Sequence, residues 1–468
     1  MSSRFLRARE SFWFIPALGG AGAIVLALAL IEVDRSLQGG GSRPIPLVAD
    51  LSATGGRAIL AAIGGTMLGV AATSFSITIS VLATTSSTYG PRLVRNFMAD
   101  RGNQVVLAVH TSAFLYSLVV LRAVRTADDS SEAFVPDVAV SVAVLFATAG
   151  VAVLVYFIHH IAGSVQVTTL QSRVLAELRA VIDLLYPADP PGGPEPRREP
   201  GLRATGETFQ ATSSGYVQHV DIGRLCRATA SSDMVLRVVA APGTYVIAGQ
   251  TIAEVLAPPS HEPAGAPDTR RVTDARAAAV RSAFTVAAPR TPHQDLRFAA
   301  QGLVEIGVRG LAAGTNDPYT CVSALDALSG ALTTLCTRPD SPGEHTDDEQ
   351  RLRVLCAWPT RSEVLADAFL ALRTYGMSHP LVVRAGVDLI DRLEAVTTGD
   401  TRRALHLEAD AFHEAYVAVQ ASAHDAGPTL AALSAVRVRL AAPRSPGPAQ
   451  AANSRGPCPD VARGAPRG

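Results

Sequence analysis

"GVAATSFSITISVLATTSSTYGPRLVRNF", residues 69–97, passes from an apolar stretch crowded with hydroxyls into a turn and then a patch of arginine. The uncharged run that leads into it extends from Ala58 to Ala83, near the ~20 residues a helix needs to cross the hydrocarbon of a bilayer. Three runs of the same kind surround it: Phe12–Ile31, Val105–Leu121 and Val138–Ile158. Together they predict four transmembrane helices, which accounts for a hydrophobic content of 48%. The first run is too long for the apolar core of a cleaved leader and reads as an anchor that stays.

Within the second span, Thr66, Gly69, Thr73, Ser76, Ser80, Thr84 and Ser87 recur at spacings of three and four, which puts them on one helical stripe. Leu68, Phe75, Ile79 and Leu82 fall on the other side. Two readings of the stripe stay open. Small and hydroxylated residues let helices pack closely. Alternatively, copies of the chain turn the stripe toward a shared aqueous path, where hydroxyls replace part of an ion's hydration shell. A single bundle of four helices has no room for such a path, so this second reading requires a homo-oligomer.

Arginine sets the expected topology. Arg4, Arg7 and Arg9 precede the first span, and Arg92, Arg95 and Arg101 form a collar between spans two and three. The positive-inside rule places both segments in the cytoplasm. The segments Glu32–Arg57 and Arg122–Asp137 then lie outside, and an even number of spans returns the C-terminus to the cytoplasm. Pro91 marks the end of the second helix.

Ionisable groups inside a span are costly and draw attention. His110 is one, expected either as a neutral imidazole bonded to a neighbouring helix or as a functional group. His159 and His160 point about 100° apart on a helix, which suits an interfacial pair better than a shared metal.

The rest of the composition narrows the chemistry. Formal net charge is zero, so no basic field argues for nucleic acid. All 41 basic residues are arginine, and the chain has no lysine. Schiff-base chemistry, a phosphate-loop lysine and a biotin or lipoate carrier are thereby excluded. Cys226, Cys321, Cys336, Cys356 and Cys458 include no C-x-x-C pair and no metal spacing. They read as reduced thiols of a cytoplasmic region. No cofactor and no metal is expected.

Beyond the spans, residues 164–201 read as an amphipathic helix, carried by Val165, Thr168, Leu175, Leu178, Ile182 and Leu185, followed by a Pro-rich linker at 187–201. Residues 202–257 carry "SGYVQHVDIGRL" and "MVLRVVAAPGTYVIAGQTIAEV", short β-rich runs divided by Pro242-Gly243 and Gly249, a small antiparallel β module. Its "PGTYVIAGQ" resembles the hammerhead half of biotinyl and lipoyl-type domains, yet no lysine is present to carry either group. Residues 258–289 read as a linker, 290–440 as a helical domain and 441–468 as a disordered tail.

The helical domain opens with the densest polar signals, "RTPHQDLRFAAQGLVEIGVRGLAAGTNDPYTCVSALDAL". Asp317 before Pro318 reads as an N-cap and first helical residue. Alternatively His293, Asp295, Arg309, Asn316 and Asp317 converge on a small polar ligand, although no catalytic spacing joins them.

In this order, "FSITISVLATTSSTYGPRLVRNFMADRGNQ", "VYFIHHIA", "GYVQHVD" and "GTNDPYT" resemble a bacterial family of predicted membrane proteins known as domain of unknown function 2254. The resemblance covers about residues 10 to 425 and implies a four-span integral membrane protein with a cytoplasmic domain. It transfers no catalytic residues. The expected fold class is therefore membrane α-helical, four transmembrane helices, with a cytoplasmic α+β domain made of a β module and a helical module. The leading functional expectation is a non-enzymatic oligomeric channel or conduit gated by that domain. The alternative is a membrane-anchored scaffold or signalling protein that binds a cytoplasmic protein partner. An enzyme is the weakest reading, because no nucleophile, metal set or phosphate loop is visible.

Overall fold

The computed structural model describes residues 13–39, 52–89, 101–125, 134–164, 166–188, 201–230, 234–257, 269–341, 343–419 and 422–442. Two compact units divide the chain, Met1–Leu170 and Gln171–Gly468.

The first unit holds α1 (Phe14–Gly39), α2 (Ala53–Tyr89), α3 (Arg101–Ala123) and α4 (Asp137–Ser164), each long and apolar enough to cross a membrane. Both α1 and α2 overrun the apolar stretches. Helix α1 continues through Asp34 and Arg35 to Gly39, and α2 starts at Ala53, where Ser52 Oγ accepts the Gly55 amide at 3.1 Å. Much of the segment expected as an outside loop, Glu32–Arg57, is thus helical, because backbone hydrogen bonding persists past the point where hydropathy falls.

Helix α3 is the centre of this bundle and packs against α1, α2 and α4. Ala113, Tyr116 and Val120 are fully buried along it. The Tyr116 ring lies 5.1 Å from that of Phe146, and its hydroxyl donates to the Ala139 carbonyl at 2.9 Å. Gly19 of α1 sits so near α3 that a Cβ there would stand 2.9 Å from Ser112 Oγ. In lipid such close backbone approach supplies the dispersion energy that water release supplies elsewhere.

The second unit takes in most of α5 (Val167–Leu185), whose buried face is Val174, Leu178, Val181, Ile182 and Leu185. That face is rotated from the expected stripe, since Thr168 is exposed and Leu175 only half-buried; Val165 lies outside the described residues. Next come β1 (Arg203–Gln210), β2 (Gly215–Val220), α6 (Ile222–Thr229), β3 (Val235–Val238), β4 (Tyr245–Val246) and β5 (Thr251–Ala257). They are followed by α7 (Thr269–Ser282), β6 (Phe284–Ala287), α8 (Leu296–Gly310), α9 (Pro318–Thr337), β7 (Glu344–Thr346) and β8 (Leu352–Cys356). Four helices complete the unit: α10 (Arg361–Tyr375), α11 (Pro380–Glu394), α12 (Gly399–Val419) and α13 (Ala423–Ala441).

The β module is larger than expected and is not purely antiparallel. One sheet has the order β1-β5-β3-β8-β7 and a second β4-β2-β6. Strands β7 and β8 come from the stretch expected to be helical, and β8 pairs with β3 in parallel. Strand β6 and helix α7 come from the expected linker 258–289. A five-residue run such as "LRVLC" is too short for a periodicity that separates a buried strand from a helix, and its partner β3 lies more than a hundred residues away. The shared core of these strands includes Phe209, Leu225, Leu236, Ile252, Phe284 and Val354.

Gly243 fixes the junction of this core with α8. Its φ is +92°, and a Cβ there would stand 2.2 Å from Asp295 Oδ2. No side chain fits that turn beside Asp295.

Candidate functional site

Within the first unit, polarity is distributed differently from the sequence expectation. On α2, Thr66, Gly69, Thr73, Ser76, Ser80 and Thr84 all face out of the bundle. The Ser87 side chain, like Arg92 and Arg95, lies outside the described residues. Arg101 opens α3 and is exposed. The side of α2 that packs inward is instead Leu60, Ile63, Met67, Ala71, Ser74 and Thr78. Leu68, Phe75 and Ile79 are exposed as well, so both predicted faces look outward. Hydroxyls occur nearly all round this helix, and spacing alone cannot choose among its stripes.

The outward threonines are satisfied by their own helix. Thr66 Oγ1 donates to the Ala62 carbonyl at 2.7 Å, Thr73 to Gly69 at 2.9 Å and Thr84 to Ser80 at 3.0 Å. A hydroxyl that has given its proton away in this manner can face lipid, and its oxygen still has a lone pair to offer. Gly65 and Gly69 open onto empty space, so α2 presents a shallow trough there.

Besides Asp34 of α1 and Ser74, Thr78 and Thr85 of α2, the buried polar groups cluster on α3. Asn103, Gln104, His110, Ser112 and Ser117 are all buried. His110 is wholly enclosed, and its Nδ1 stands 2.8 Å from the carbonyl of Val106, one turn back on its own helix. A carbonyl only accepts, so Nδ1 is the donor. This differs from the expected bond to a neighbouring helix. Nε2 is buried without a hydrogen-bond partner, as are the side-chain amide of Asn103 and the Ser117 hydroxyl. Opposite His110, Gly150 of α4 makes the room: a Cβ there would stand 3.8 Å from Nε2 and 2.9 Å from Met67 Sδ. His160 stacks on Tyr156 of the same helix, with centroids 5.4 Å apart.

Asp34 is the residue that sequence reading missed. Its carboxylate, buried inside the unit, accepts the amides of Val138 at 3.1 Å and Ala139 at 3.0 Å, and so caps α4 from α1. Arg57 closes the same end by donating to the Val124 carbonyl at 3.2 Å. The available signal was a lone carboxylate just past an apolar run.

In the second unit the expected polar cluster does not assemble. Asp295 caps α8 through the Phe298 amide at 3.0 Å and is clamped by Arg290 at 2.6 and 3.2 Å, while His293 is exposed. Arg309 sits at the far end of α8, paired with Glu305. At 1.5 Å rise per residue the two ends of this helix lie about 20 Å apart. Asn316 occupies a left-handed turn with φ +46°, and Asp317 caps α9 by accepting the Thr320 amide at 3.2 Å and hydroxyl at 2.6 Å. Those hydrogen bonds, the Thr320 hydroxyl first, hold the Asp317 carboxyl below its ordinary value. The motif "TNDPYT" is thus a turn and cap. Its helix receives α5: Gln171 donates to the Thr320 carbonyl at 3.2 Å and accepts from Ser323 at 2.8 Å.

Residues 9–392 match the family described as predicted membrane protein (DUF2254). Among curated proteins, the chain is 29% identical over 400 residues to "Uncharacterized protein Mb1321c" of Mycobacterium bovis and to "Uncharacterized protein Rv1290c" of Mycobacterium tuberculosis. Each of these alignments covers 84% of this chain and 73% of the relative. No solved structure matches the chain.

Proposed function

The chain belongs to the DUF2254 family of predicted membrane proteins, and from that premise we propose that it acts as a homo-oligomeric conduit in a bacterial inner membrane. Copies meet around the outward stripe of α2, and the C-terminal unit stands in the cytoplasm as gate or sensor. One observation carries this reading. The interior of a single bundle is filled by Ala113, Tyr116 and Val120, whereas Thr66, Thr73, Ser76, Ser80 and Thr84 open outward. A polar path therefore has to form between copies, and hydroxyl oxygens along it would replace part of an ion's hydration. The arginine collar and the free thiols of the C-terminal unit support the cytoplasmic side. The reading is non-enzymatic.

The test is cysteine accessibility combined with a subunit count in lipid nanodiscs, starting from a cysteine-free chain. Thr73→Cys and Ser80→Cys are expected to react with small water-soluble thiol reagents and to alter ion flux in vesicles. Phe75→Cys and Leu82→Cys are expected to stay unreactive. A monomer in nanodiscs, or seam cysteines that remain unreactive, sinks the conduit.

A groove in the second unit favours the scaffold reading as the alternative. Between α8 and α10 lies a cavity of about 380 Å³ lined by Ala300, Val304, Ala368, Leu370 and Tyr375, with the Arg297–Asp367 pair at 2.6 Å beside it. Such a trough suits the apolar face of a partner's helix.

A further inference from the structure

Asn103, His110 and Ser117 follow one another on α3 at intervals of seven residues. Seven residues make nearly two turns, so the three lie in a row on one face of the helix, with neighbours about 10 Å apart. They are 3%, 0% and 1% exposed. Among the described residues, neither atom of the Asn103 amide, nor His110 Nε2, nor the Ser117 hydroxyl has a hydrogen-bond partner. Such groups are costly to bury, and leucine or alanine would serve better at all three positions if the helix only packed. The row calls for something that hydrogen-bonds to it.

It runs along the seam with α2. Arg57 donates to the Val124 carbonyl, and a Cβ on Gly64 would stand 3.6 Å from that of Ser117. Both contacts fit one antiparallel register, because seven residues forward on α2 match seven back on α3. Carried on at the same interval, this register sets Ala71 beside His110 and Thr78 beside Asn103. The opposite wall is therefore made of small side chains. Thr78, 5% exposed, has given its own proton to the Ser74 carbonyl at 2.8 Å and keeps a lone pair to accept another. Gly150 of α4 leaves space at the imidazole, where a Cβ would stand 3.8 Å from Nε2.

The row reaches both ends of the span. Arg101 is exposed and opens α3 two residues before Asn103. At the other end Val124 is the next position in the series, and the exposed Arg57 takes its carbonyl.

At mid-span His110 is alone among titratable groups. Residues 14–31 of α1, 58–88 of α2 and 138–155 of α4 contain no charged residue, histidine, cysteine or tyrosine. The charged groups stand toward the helix ends: Asp34 on the amides of Val138 and Ala139, Arg35 with Glu32, and Arg57 on the Val124 carbonyl. On α3 itself Arg101 and Arg122 stand at the two ends, and Tyr116 gives its hydroxyl proton to the Ala139 carbonyl. No carboxylate is placed to hold a charge on the imidazole, so a proton taken up there is passed on rather than kept.

We infer that the α2–α3 seam inside each bundle is a proton path, a single file of water joining Asn103, His110 and Ser117 with His110 as the relay. Buried water takes about two to four hydrogen bonds from groups of this kind. Nδ1 lies on the Asn103 side, since its partner, the Val106 carbonyl, is one turn back. One proton enters at Nε2, and one leaves Nδ1 for the water that continues toward Asn103. The ring then turns back with its charge unchanged. A hydrated cation needs a lumen, which Tyr116 and its neighbours fill, whereas a proton moves along hydrogen bonds. The path lies within one copy, so it stands or falls apart from the conduit between copies.

The experiment places the full chain in vesicles that contain a pH-sensitive dye and follows proton entry after the outside is acidified, with equal salt on both sides. The wild-type chain is expected to admit protons faster than protein-free vesicles. His110→Gln should slow the protein-dependent rate by about tenfold or more. Thr73→Leu, on the outward stripe, should leave it unchanged. Two further variants guard against misfolding. Asn103→Leu and Ser117→Ala each remove an unpartnered buried group, so the thermal midpoint should hold or rise while proton entry falls. The path is overturned by wild-type entry no faster than that of protein-free vesicles, or by His110→Gln conducting as well as wild type. Full conduction by folded Asn103→Leu and Ser117→Ala, or loss of proton entry in Thr73→Leu, overturns it as well. Proton entry that depends on His110 without any flux of larger ions removes the conduit and leaves the path.

Discussion

Asp347 shows how much a single side chain can hold together. It accepts the amides of Glu349 and Arg351 at 3.0 and 2.9 Å and the guanidinium of Arg353 at 2.7 Å, closing the turn between β7 and β8. Arg353 is only 2% exposed, and a buried charge stripped of its partner is costly. Burial raises the Asp347 carboxyl, but the Arg351 amide and the two arginines lower it by more, leaving it at about 2 against an ordinary 3.8. A depressed carboxyl stabilises the fold above its ordinary value, and that contribution is lost as pH falls through about 2. Asp347→Asn should therefore cost about 3 kcal/mol near neutral pH. The gap between wild-type and variant melting temperatures should narrow from about pH 4 downward. A gap that stays constant into strong acid would mean that the carboxylate's charge is not what stabilises the turn. Caps such as Asp317 were legible because both partners lie within four residues of sequence. Asp34 was not, since the amides it caps lie 104 and 105 residues away.

Elements were legible where length and composition decide, and illegible where the choice is between two faces of one helix. Four apolar runs of sufficient length have no other fate than helices, and all four form. Which side of α2 turns inward is different, because the inward set, Leu60, Ile63, Met67, Ala71, Ser74 and Thr78, mixes apolar and hydroxyl side chains, and so does the outward side, which carries Leu68, Phe75 and Ile79 beside the hydroxyl stripe. The choice was made by the neighbours α3 and α4, whose own surfaces no reading of α2 contains. A pair of substitutions separates the two sides. Ala71 is 3% exposed, so Ala71→Leu should overpack the inward side of α2 and lower stability in detergent by about 1 to 3 kcal/mol. Thr73→Leu, two residues on and exposed, should leave the isolated chain's stability within about 0.5 kcal/mol. Equal losses at both positions would place α2 in some other rotation. Strands β7 and β8 escaped notice for a related reason: a strand of three to five residues is defined by its neighbour, and β3 lies far upstream.

At the scale of the whole molecule, the sequence divides the chain into a four-span segment at 1–163, a helix and linker at 164–201, a β module at 202–257, a linker at 258–289, a helical domain at 290–440 and a tail, whereas the fold forms two compact units that meet at Leu170. Orientation across a membrane is a separate question, and arginine is the quantity that decides it. With Arg4, Arg7 and Arg9 before the first span and Arg92, Arg95 and Arg101 between the second and third, both segments are expected inside. The intervening segments carry arginine mixed with Asp50, Asp128, Asp129 and Glu132, a weaker signal that fits the outside. Because the number of spans is even, the same assignment fixes the second unit: if the α2–α3 connection is cytoplasmic, so is everything after α4. Single cysteines replacing Gly40 and Ser130 in a cysteine-free chain should then react with a membrane-impermeant thiol reagent applied from outside intact cells. A cysteine at Arg101 should react only after the membrane is opened. Labelling of Gly40→Cys and Ser130→Cys from the cytoplasmic side alone would invert the topology. The second unit would then lie outside, so this measurement comes before every test of a cytoplasmic gating or sensing role.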